Sequence, residues 1–189
     1  LLDIRVNGNS SIDNNGWPGT NTMTFYDNNV LFMNFAHDFT INKIDLSKVS
    51  REKTSLSLVV NLSGRLVSGE TKTIYINDNS FISLCVKDED VASVSQISSG
   101  CNGANEIDFT SCLGNSTGIT INNITCYDEG AIIRIENLIY SGIKGTQVAL
   151  PAPAPVSGGG GGTGGGGCLY NWSCTEWSQC NQGIKQTRT

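Results

Sequence analysis

The chain has 189 residues, and its 12 Lys and Arg against 17 Asp and Glu give a formal net charge of −5. Nucleic-acid binding depends on clustered basic side chains that meet phosphates, so this balance argues against a nucleic-acid partner. The chain contains no stretch of about 18 consecutive apolar residues, so the sequence predicts no membrane-spanning segment.

Up to about Lys144, apolar and polar side chains alternate and β-branched residues are frequent, which is the pattern of half-buried strands. About nine short strands, separated by turn residues such as Asn7-Gly8, predict an all-β domain over residues 1–146. The expected fold is an immunoglobulin-like antiparallel β-sandwich. At most, residues 89–97 would add one short helix. The predicted strands are Leu2–Val6, Thr22–Tyr26, Val30–Phe35, Lys43–Leu46, Ser55–Leu62, Thr71–Ile76, Phe81–Val86, Gly118–Thr125 and Ala131–Ile139.

Residues 147–167 form a predicted Pro/Gly-rich linker. Alternating Pro and Ala from Pro151 to Pro155 precede a glycine run that only Thr163 interrupts. Alternating Pro and Ala make a stiff, extended spacer, whereas a glycine run is a flexible coil. We therefore expect the linker to project residues 168–189 away from the sandwich, without contributing to a fixed active site.

Residues 168–189 are too few to bury a core of their own, so this predicted small module depends on disulfides. Because its cysteines are odd in number, we expect the module to continue beyond Thr189. Leu1 is neither a Met nor part of a signal-peptide pattern, so we also expect a segment upstream. The module contains Trp172, Trp177, Cys168, Cys174 and Cys180.

The segment Trp177-Ser178-Gln179-Cys180, followed by Gly183 and Arg188, resembles the opening of a thrombospondin type 1 repeat. In that family Trp and Arg side chains alternate in a stacked ladder that uses cation–π attraction. The resemblance implies that Arg188 stacks near Trp177, with Trp172 as a further rung, and that disulfides fix the ends of the ladder. It also makes Trp177 a candidate for sugar attachment on the indole. The segment lacks the second cysteine that usually follows Trp-x-x-Cys, and an unrelated cysteine motif is the alternative.

Four further cysteines lie in the predicted sandwich. No Cys-x-x-Cys pair occurs, and the only histidine, His37, is distant in sequence, so disulfides are favoured over zinc. Four cysteines allow three pairings, which the sequence alone leaves open. We prefer one bond that closes a local loop, Cys101–Cys112, and one that ties two strands, Cys85–Cys126.

Asn-x-Ser/Thr triplets supply five candidate glycosylation sites. Together with the cysteines they favour an extracellular or cell-surface glycoprotein, although a chain rich in Asn and Ser also produces such triplets by chance. The five acceptors are Asn9, Asn61, Asn115, Asn123 and Asn171.

The cysteine region also resembles a module of predicted cell-surface proteins from uncultivated archaea. In such proteins the module commonly follows a Lys-Thr-Ile-Tyr-Ile strand, ends near a Ser-Gly-Ile element, and occurs together with a Trp-x-x-Cys tail. The resemblance covers most of residues 20–145 and implies no established activity. It depends on Lys72–Ile76, Cys85-Val-Lys-Asp-Glu-Asp, Ser-Ser-Gly-Cys101-Asn-Gly, Cys112, Thr125-Cys126 and Ser141-Gly142-Ile143.

Motifs for catalysis and cofactors are scarce. His37 is followed by Asp38, but adjacent strand residues point to opposite faces, so they do not form a base and its orienting partner. No nucleophile elbow, zinc-protease or phosphate-loop motif occurs, and we predict a non-catalytic chain without a cofactor. Calcium is the alternative, through oxygen ligands of residues 88–90 or 13–16. Neither follows the EF-hand loop pattern, and both equally suit ordinary turns.

Three functions remain open from the sequence. The first is adhesion or recognition, in which Trp172, Trp177 and Arg188 contact a cell-surface glycan or protein. The second is a structural subunit of a surface layer or filament, which self-assembles by β-strand addition through a strand such as Leu2–Val6. The third is an accessory domain of a secreted hydrolase, for which these residues give no argument in either direction.

Overall fold

A computed structural model describes residues 2–10, 17–41, 43–44, 46, 49–62, 66, 68–140 and 142–148. These residues belong to Leu1–Leu150, one of two compact units into which the chain divides. The predicted tail contacts, tail cysteines and one calcium candidate lie outside the described residues and stay predictions. They are Trp172, Trp177, Arg188, Asn171, Cys168, Cys174, Cys180 and residues 13–16.

The described residues form twelve β-strands, joined by turns and two short 3₁₀ turns, Val94–Gln96 and Thr110–Cys112. The strands are β1 (Leu2–Val6), β2 (Thr20–Asp27), β3 (Val30–Asp38), β4 (Ser50–Lys53), β5 (Ser57–Asn61), β6 (Lys72–Asn77), β7 (Ser83–Lys87), β8 (Glu106–Asp108), β9 (Ile119–Ile121), β10 (Ile124–Asp128), β11 (Ile132–Leu138) and β12 (Gly142–Thr146).

Two antiparallel sheets confirm the predicted all-β sandwich. One sheet has seven strands in the order β1-β2-β3-β6-β11-β10-β9, and the other has five in the order β4-β5-β12-β7-β8. The order β3-β6-β11-β10 corresponds to strands A, B, E and D of an immunoglobulin domain, and β12-β7 corresponds to F and C. Strand β5 occupies the position of the last immunoglobulin strand, G, although it precedes β6 in the chain. The connectivity is therefore immunoglobulin-like with one strand replaced.

Side chains between the two sheets form one hydrophobic core. Alternation along each strand directs every second residue inward, which is why β6 buries Ile74 and Ile76 while Tyr75 faces outward. Each fully buried apolar side chain stabilises the fold by roughly 1.5–3 kcal/mol relative to an exposed position. The core includes Phe25, Phe35, Ile74 and Ile135 from the larger sheet and Leu58, Leu84 and Ile143 from the smaller one.

Several strand predictions differ from the structure. The predicted strand Gly118–Thr125 is instead a hairpin, because Asn122 and Asn123 adopt the left-handed conformation of a tight turn, with φ of 50° and 66°. The described residues of Lys43–Leu46 belong to no strand, and strands β4, β8 and β12 were not predicted from the sequence. Strands β4 and β8 are short and charged, and β12 contains two glycines, so none shows a clear strand pattern.

The preferred disulfide pairing is wrong. The bonds are Cys85–Cys101 and Cys112–Cys126, with Cα–Cα distances of 5.3 and 6.0 Å. Cys85 points away from the main core, because its neighbours Leu84 and Val86 take the inward positions of β7. It packs in a small second cluster on the outer side of the five-stranded sheet, whereas Cys126 belongs to the main core. The expected Cys85–Cys126 bond would have to cross the sheet.

Candidate recognition surface

The outward side of the seven-stranded sheet carries a concentration of tyrosine, arginine and hydroxyl side chains. We call this surface the outer polar face. It holds three of the four tyrosines that the structure describes, and all its members are at least partly exposed. Its residues are Arg5, Thr24, Tyr26, Asn34, Thr73, Tyr75, Thr125, Tyr127, Arg134 and Glu136.

Strand alternation creates the outer polar face. In β11, Ile133 and Ile135 are fully buried, so Arg134 between them must point outward. Antiparallel register then sets Arg134 directly across from Tyr75 of β6 on one side and from Tyr127 of β10 on the other. Three side chains that are distant in sequence thus become neighbours on one face.

Arg134 is held in position from several sides. Its guanidinium lies over the Tyr127 ring, 4.0 Å from the ring centroid. Its Nε donates to Oε1 of Glu129 at 2.8 Å, and its Nη1 donates to Glu136. A cation–π contact at an exposed site is worth about 0.5–1 kcal/mol, and a charge-assisted hydrogen bond adds direction. The planar guanidinium is therefore preorganised on the surface.

Asn34 extends this arrangement onto β3. Its Nδ2 donates to the Tyr75 hydroxyl at 3.0 Å, so Asn34, Tyr75, Arg134 and Tyr127 follow one another over four adjacent strands. We call these four residues the tyrosine–arginine row. Strands lie about 4.8 Å apart, so the row is about 14 Å long.

A second arginine–tyrosine pair lies at the β1 edge of the same face. The Arg5 guanidinium lies 4.4 Å from the centroid of the Tyr26 ring, and its Nε donates to Oδ2 of Asp3 at 2.8 Å. Both arginines of the outer polar face are thus paired with carboxylates. The face therefore offers ring surfaces, hydroxyls and fixed donors without a net excess of positive charge.

The tyrosine–arginine row was not predicted from the sequence. The predicted strand Gly118–Thr125 ends before Tyr127, and only Tyr75 and Arg134 lie in predicted strands whose alternation indicates an outward direction. That signal does not give the register between strands that are distant in the chain, so it could not bring the three together.

His37 lies in the interior and pairs with a residue other than Asp38. It is fully buried, its ring packs edge-on against Phe39, and its Nδ1 lies 3.0 Å from Oε1 of Glu70. The carboxylate of Asp38 accepts bonds from the Thr40 hydroxyl and backbone N–H, and these bonds lower the pKa of Asp38. The prediction that His37 and Asp38 face opposite sides is confirmed.

Lys72 is the most deeply buried cation among the described residues, with 1% of its surface exposed. Its Nζ donates to the backbone oxygen of Ile139 at 3.0 Å. Burial lowers the pKa of Lys72 to about 8, against an opposing effect from the Asp88 carboxylate. Burial also raises the pKa of Asp88, which accepts the backbone N–H groups of Ile139 and Tyr140 at 3.1 and 2.6 Å. These groups tie together the strand ends at one end of the sandwich.

The acidic stretch Asp88-Glu89-Asp90 directs its carboxylates at separate protein groups. Glu89 pairs with Lys87, and Asp90 accepts a bond from Asn61 Nδ2 at 2.7 Å. Within the described ranges, no group of three or more His, Cys, Asp and Glu side chains is arranged to hold a metal ion. The stretch therefore acts in internal hydrogen bonding.

The edge strands of the two sheets are where another strand could be added. On β1, the backbone N–H and C=O of Val6 both bond to Asn9, each at 3.0 Å, so a turn already occupies one end of this edge. Strand β4 is charged along Arg51, Glu52 and Lys53, and strands β8 and β9 have only three residues each. Short, charged or blocked edges are the usual protection against edge-to-edge pairing.

The candidate glycosylation sites differ in accessibility. Asn9 and Asn123 are exposed, Asn115 is half-buried, and Asn61 donates its amide to Asp90 within a small cleft. Asn115 and Asn123 lie on either side of the edge strand β9.

In the part of the chain that the structure describes, no helix is long and apolar enough to cross a membrane. Comparisons with protein-family models, with curated proteins and with solved structures find no match to this chain.

Proposed function

We propose that this chain is a non-catalytic recognition part of an extracellular or cell-surface protein, and that its sandwich binds a glycan on the outer polar face. The observation that carries the proposal is the tyrosine–arginine row, in which Arg134 lies between two tyrosines of neighbouring strands. The extracellular location is supported by two disulfides in the sandwich, since such bonds persist in oxidising compartments.

The chemistry of the row suits a sugar. A sugar ring has apolar C–H faces that pack on aromatic rings, and hydroxyls that exchange hydrogen bonds with amide, carboxylate and guanidinium groups. Tyr75 supplies a ring, Asn34 supplies an amide, and Arg134, which is stacked on Tyr127, supplies fixed donors. A length of about 14 Å accommodates several sugar units in one line.

The charges of the face favour a neutral glycan. Arg134 is paired with Glu129 and Glu136, and Arg5 is paired with Asp3. A polyanionic glycan would meet these carboxylates together with the arginines, and like charges oppose binding. We therefore expect preference for uncharged oligosaccharides over sulfated or uronic-acid chains.

The full chain can be tested against immobilised neutral and acidic oligosaccharides. Tyr75→Ala removes a ring of the row, and Arg134→Lys keeps the charge but loses the planar fork of donors. We expect each change to weaken binding about tenfold or more, which corresponds to about 1.4 kcal/mol. Lys53→Ala, an exposed change on the other sheet, is the control and should bind like the parent chain. Unchanged binding in both row variants would refute the proposal.

The earlier alternatives stay predictions with less support. Self-assembly by strand addition is opposed by the blocked end of β1 and by the short or charged edges β4, β8 and β9. Recognition by Trp172, Trp177 and Arg188 depends on residues outside the described part of the chain. A role beside a secreted hydrolase has no argument for or against it in these residues.

A further inference from the structure

The two ends of the edge strand β9 carry Asn-x-Thr triplets at Asn115 and Asn123. We propose that both residues carry N-linked glycans, that these glycans cover the exposed edge of β9, and that Asn61 stays unmodified. This inference is independent of the glycan-binding proposal, because it concerns a covalent modification and not the binding of a free glycan.

Asn123 is presented on a tight turn. It is exposed, and together with Asn122 it forms the β9–β10 hairpin turn with a φ of 66°. Its backbone oxygen accepts a bond from Asn137 Nδ2 at 3.1 Å, and its side chain makes no hydrogen bond to another described residue. The turn thus holds the backbone and leaves the side-chain amide accessible. Thr125 completes the triplet in the neighbouring strand.

Asn115 has a different geometry that also suits modification. Its Oδ1 accepts the backbone N–H of Thr117 at 2.9 Å and the Thr117 hydroxyl at 2.7 Å. The carbonyl oxygen of the Asn115 amide and the Thr117 hydroxyl are therefore adjacent within one triplet. Both bonds use the carbonyl oxygen, and Nδ2 has no acceptor among the described residues.

Asn61 provides the contrast within the same molecule. It lies at the end of β5, paired with Ser50, and its Nδ2 donates to Oδ1 of Asp90 at 2.7 Å. Val91 and Tyr140 line the cleft around this side chain. A glycan on this nitrogen would disrupt the bond to Asp90 and the packing of the strand end.

The modification is a transfer from a lipid-linked oligosaccharide diphosphate. The asparagine Nδ2 forms a bond to the anomeric carbon of the first sugar while the bond from that carbon to the diphosphate oxygen breaks. The amide loses one proton, the lipid diphosphate leaves, and no oxidant or reductant takes part.

Glycans at both ends of β9 would add to the protection that the shortness of this strand already gives to its edge of the larger sheet. Strand β9 spans only Ile119–Ile121, and its outer backbone edge has no neighbouring strand in the described sheet. Bulky, hydrated chains at both ends hinder the approach of another strand to such an edge.

The test uses the full chain secreted from a eukaryotic cell line, with site occupancy measured by glycopeptide mass spectrometry. We expect a glycan at Asn115 and at Asn123 and none at Asn61. A bare Asn115 or Asn123, or an Asn61 modified to the same extent, would overturn the assignment.

Paired variants test what the glycans do. Thr117→Ala with Thr125→Ala removes both acceptor triplets, whereas Thr117→Ser with Thr125→Ser keeps both acceptors and both hydroxyls. We expect the alanine pair to lose both glycans and to self-associate more in sedimentation velocity, while the serine pair behaves like the parent chain. A glycan-free alanine pair that stays as dispersed as the serine pair would refute the edge-covering role.

Discussion

Lys72 offers a quantitative test of the sandwich interior. The residue is 1% exposed, and burial lowers its pKa to about 8 in the folded protein, compared with about 10.4 in an unfolded chain. Between these two values the unfolded chain holds a proton that the folded chain has released. The free energy of unfolding must therefore rise with pH through this window.

The size of the rise follows from the two pKa values. Below a pH of about 8 both states are protonated and the full cost of burying the charge is present. With values of about 8 and 10.4, the contribution of Lys72 to the free energy of unfolding increases by about 1 kcal/mol between about pH 7 and about pH 9. This contribution continues to increase until the pH reaches the pKa of Lys72 in the unfolded chain.

The assay compares the parent chain with Lys72→Met by urea denaturation at a series of pH values, after alkylation of any free thiol. The variant also loses the hydrogen bond to the Ile139 carbonyl. That loss changes the free energy of unfolding equally at every pH, so it does not alter the pH dependence. We expect the stability difference between parent and variant to change by about 1 kcal/mol over the range. Lys53→Met controls for the loss of one positive charge. Parallel curves for the parent and Lys72→Met would refute the argument.

Two further predictions concern packing and cross-links. Removal of the core disulfide with Cys112→Ala and Cys126→Ala should cost about 3 kcal/mol of unfolding free energy, because its partners are 14 residues apart in sequence; a cost below about 1 kcal/mol would contradict this. Gly145→Val should cost about 1–3 kcal/mol or more in the same assay, because a β-carbon at this position would lie 2.4 Å from the Phe81 ring. Gly100→Ala, whose β-carbon would meet its nearest neighbour only at 4.0 Å, should stay within about 0.5 kcal/mol, and equal costs at both glycines would refute the packing argument.

The sequence predicted the fold class because alternation is a local signal. Strand β1 was predicted with its observed bounds, and β2, β3 and β6 differ from their predictions only at the ends. Strand β12 was not predicted, because its two glycines weaken the alternation of apolar and polar side chains. Those glycines make room for other parts of the fold, since Gly142 lies beneath Ile97 and Gly145 lies beneath Phe81. Such contacts depend on tertiary structure, so the local sequence gives no signal of them.

The pairing of the disulfides could be predicted only in part from the local sequence. Alternation in β7 indicates that Cys85 faces away from Leu84 and Val86, and this signal could have excluded a partner in the core. The choice of Cys101 depends on how residues 88–104 fold back over the outer side of the five-stranded sheet, with Val91 and Ile97 packed against it.

The outer polar face depends both on the alternation within each strand and on the pairing between strands. The outward direction of Tyr75, Tyr127 and Arg134 follows from the pattern of each strand. Their contact follows from the pairing of β6 and β10 with β11, which the sequence does not specify on its own. Register therefore determines whether three ordinary surface residues form one surface.

The most direct test of glycan binding by the outer polar face is a chemical-shift titration of the isotope-labelled full chain. The ligand is the neutral oligosaccharide that binds best among the immobilised ones. Binding on the outer polar face predicts that the largest shifts occur at Tyr75, Tyr127 and Arg134 and at their strand neighbours. Shifts confined to residues 168–189, around Trp172 and Trp177, would contradict it and assign recognition to the tail module.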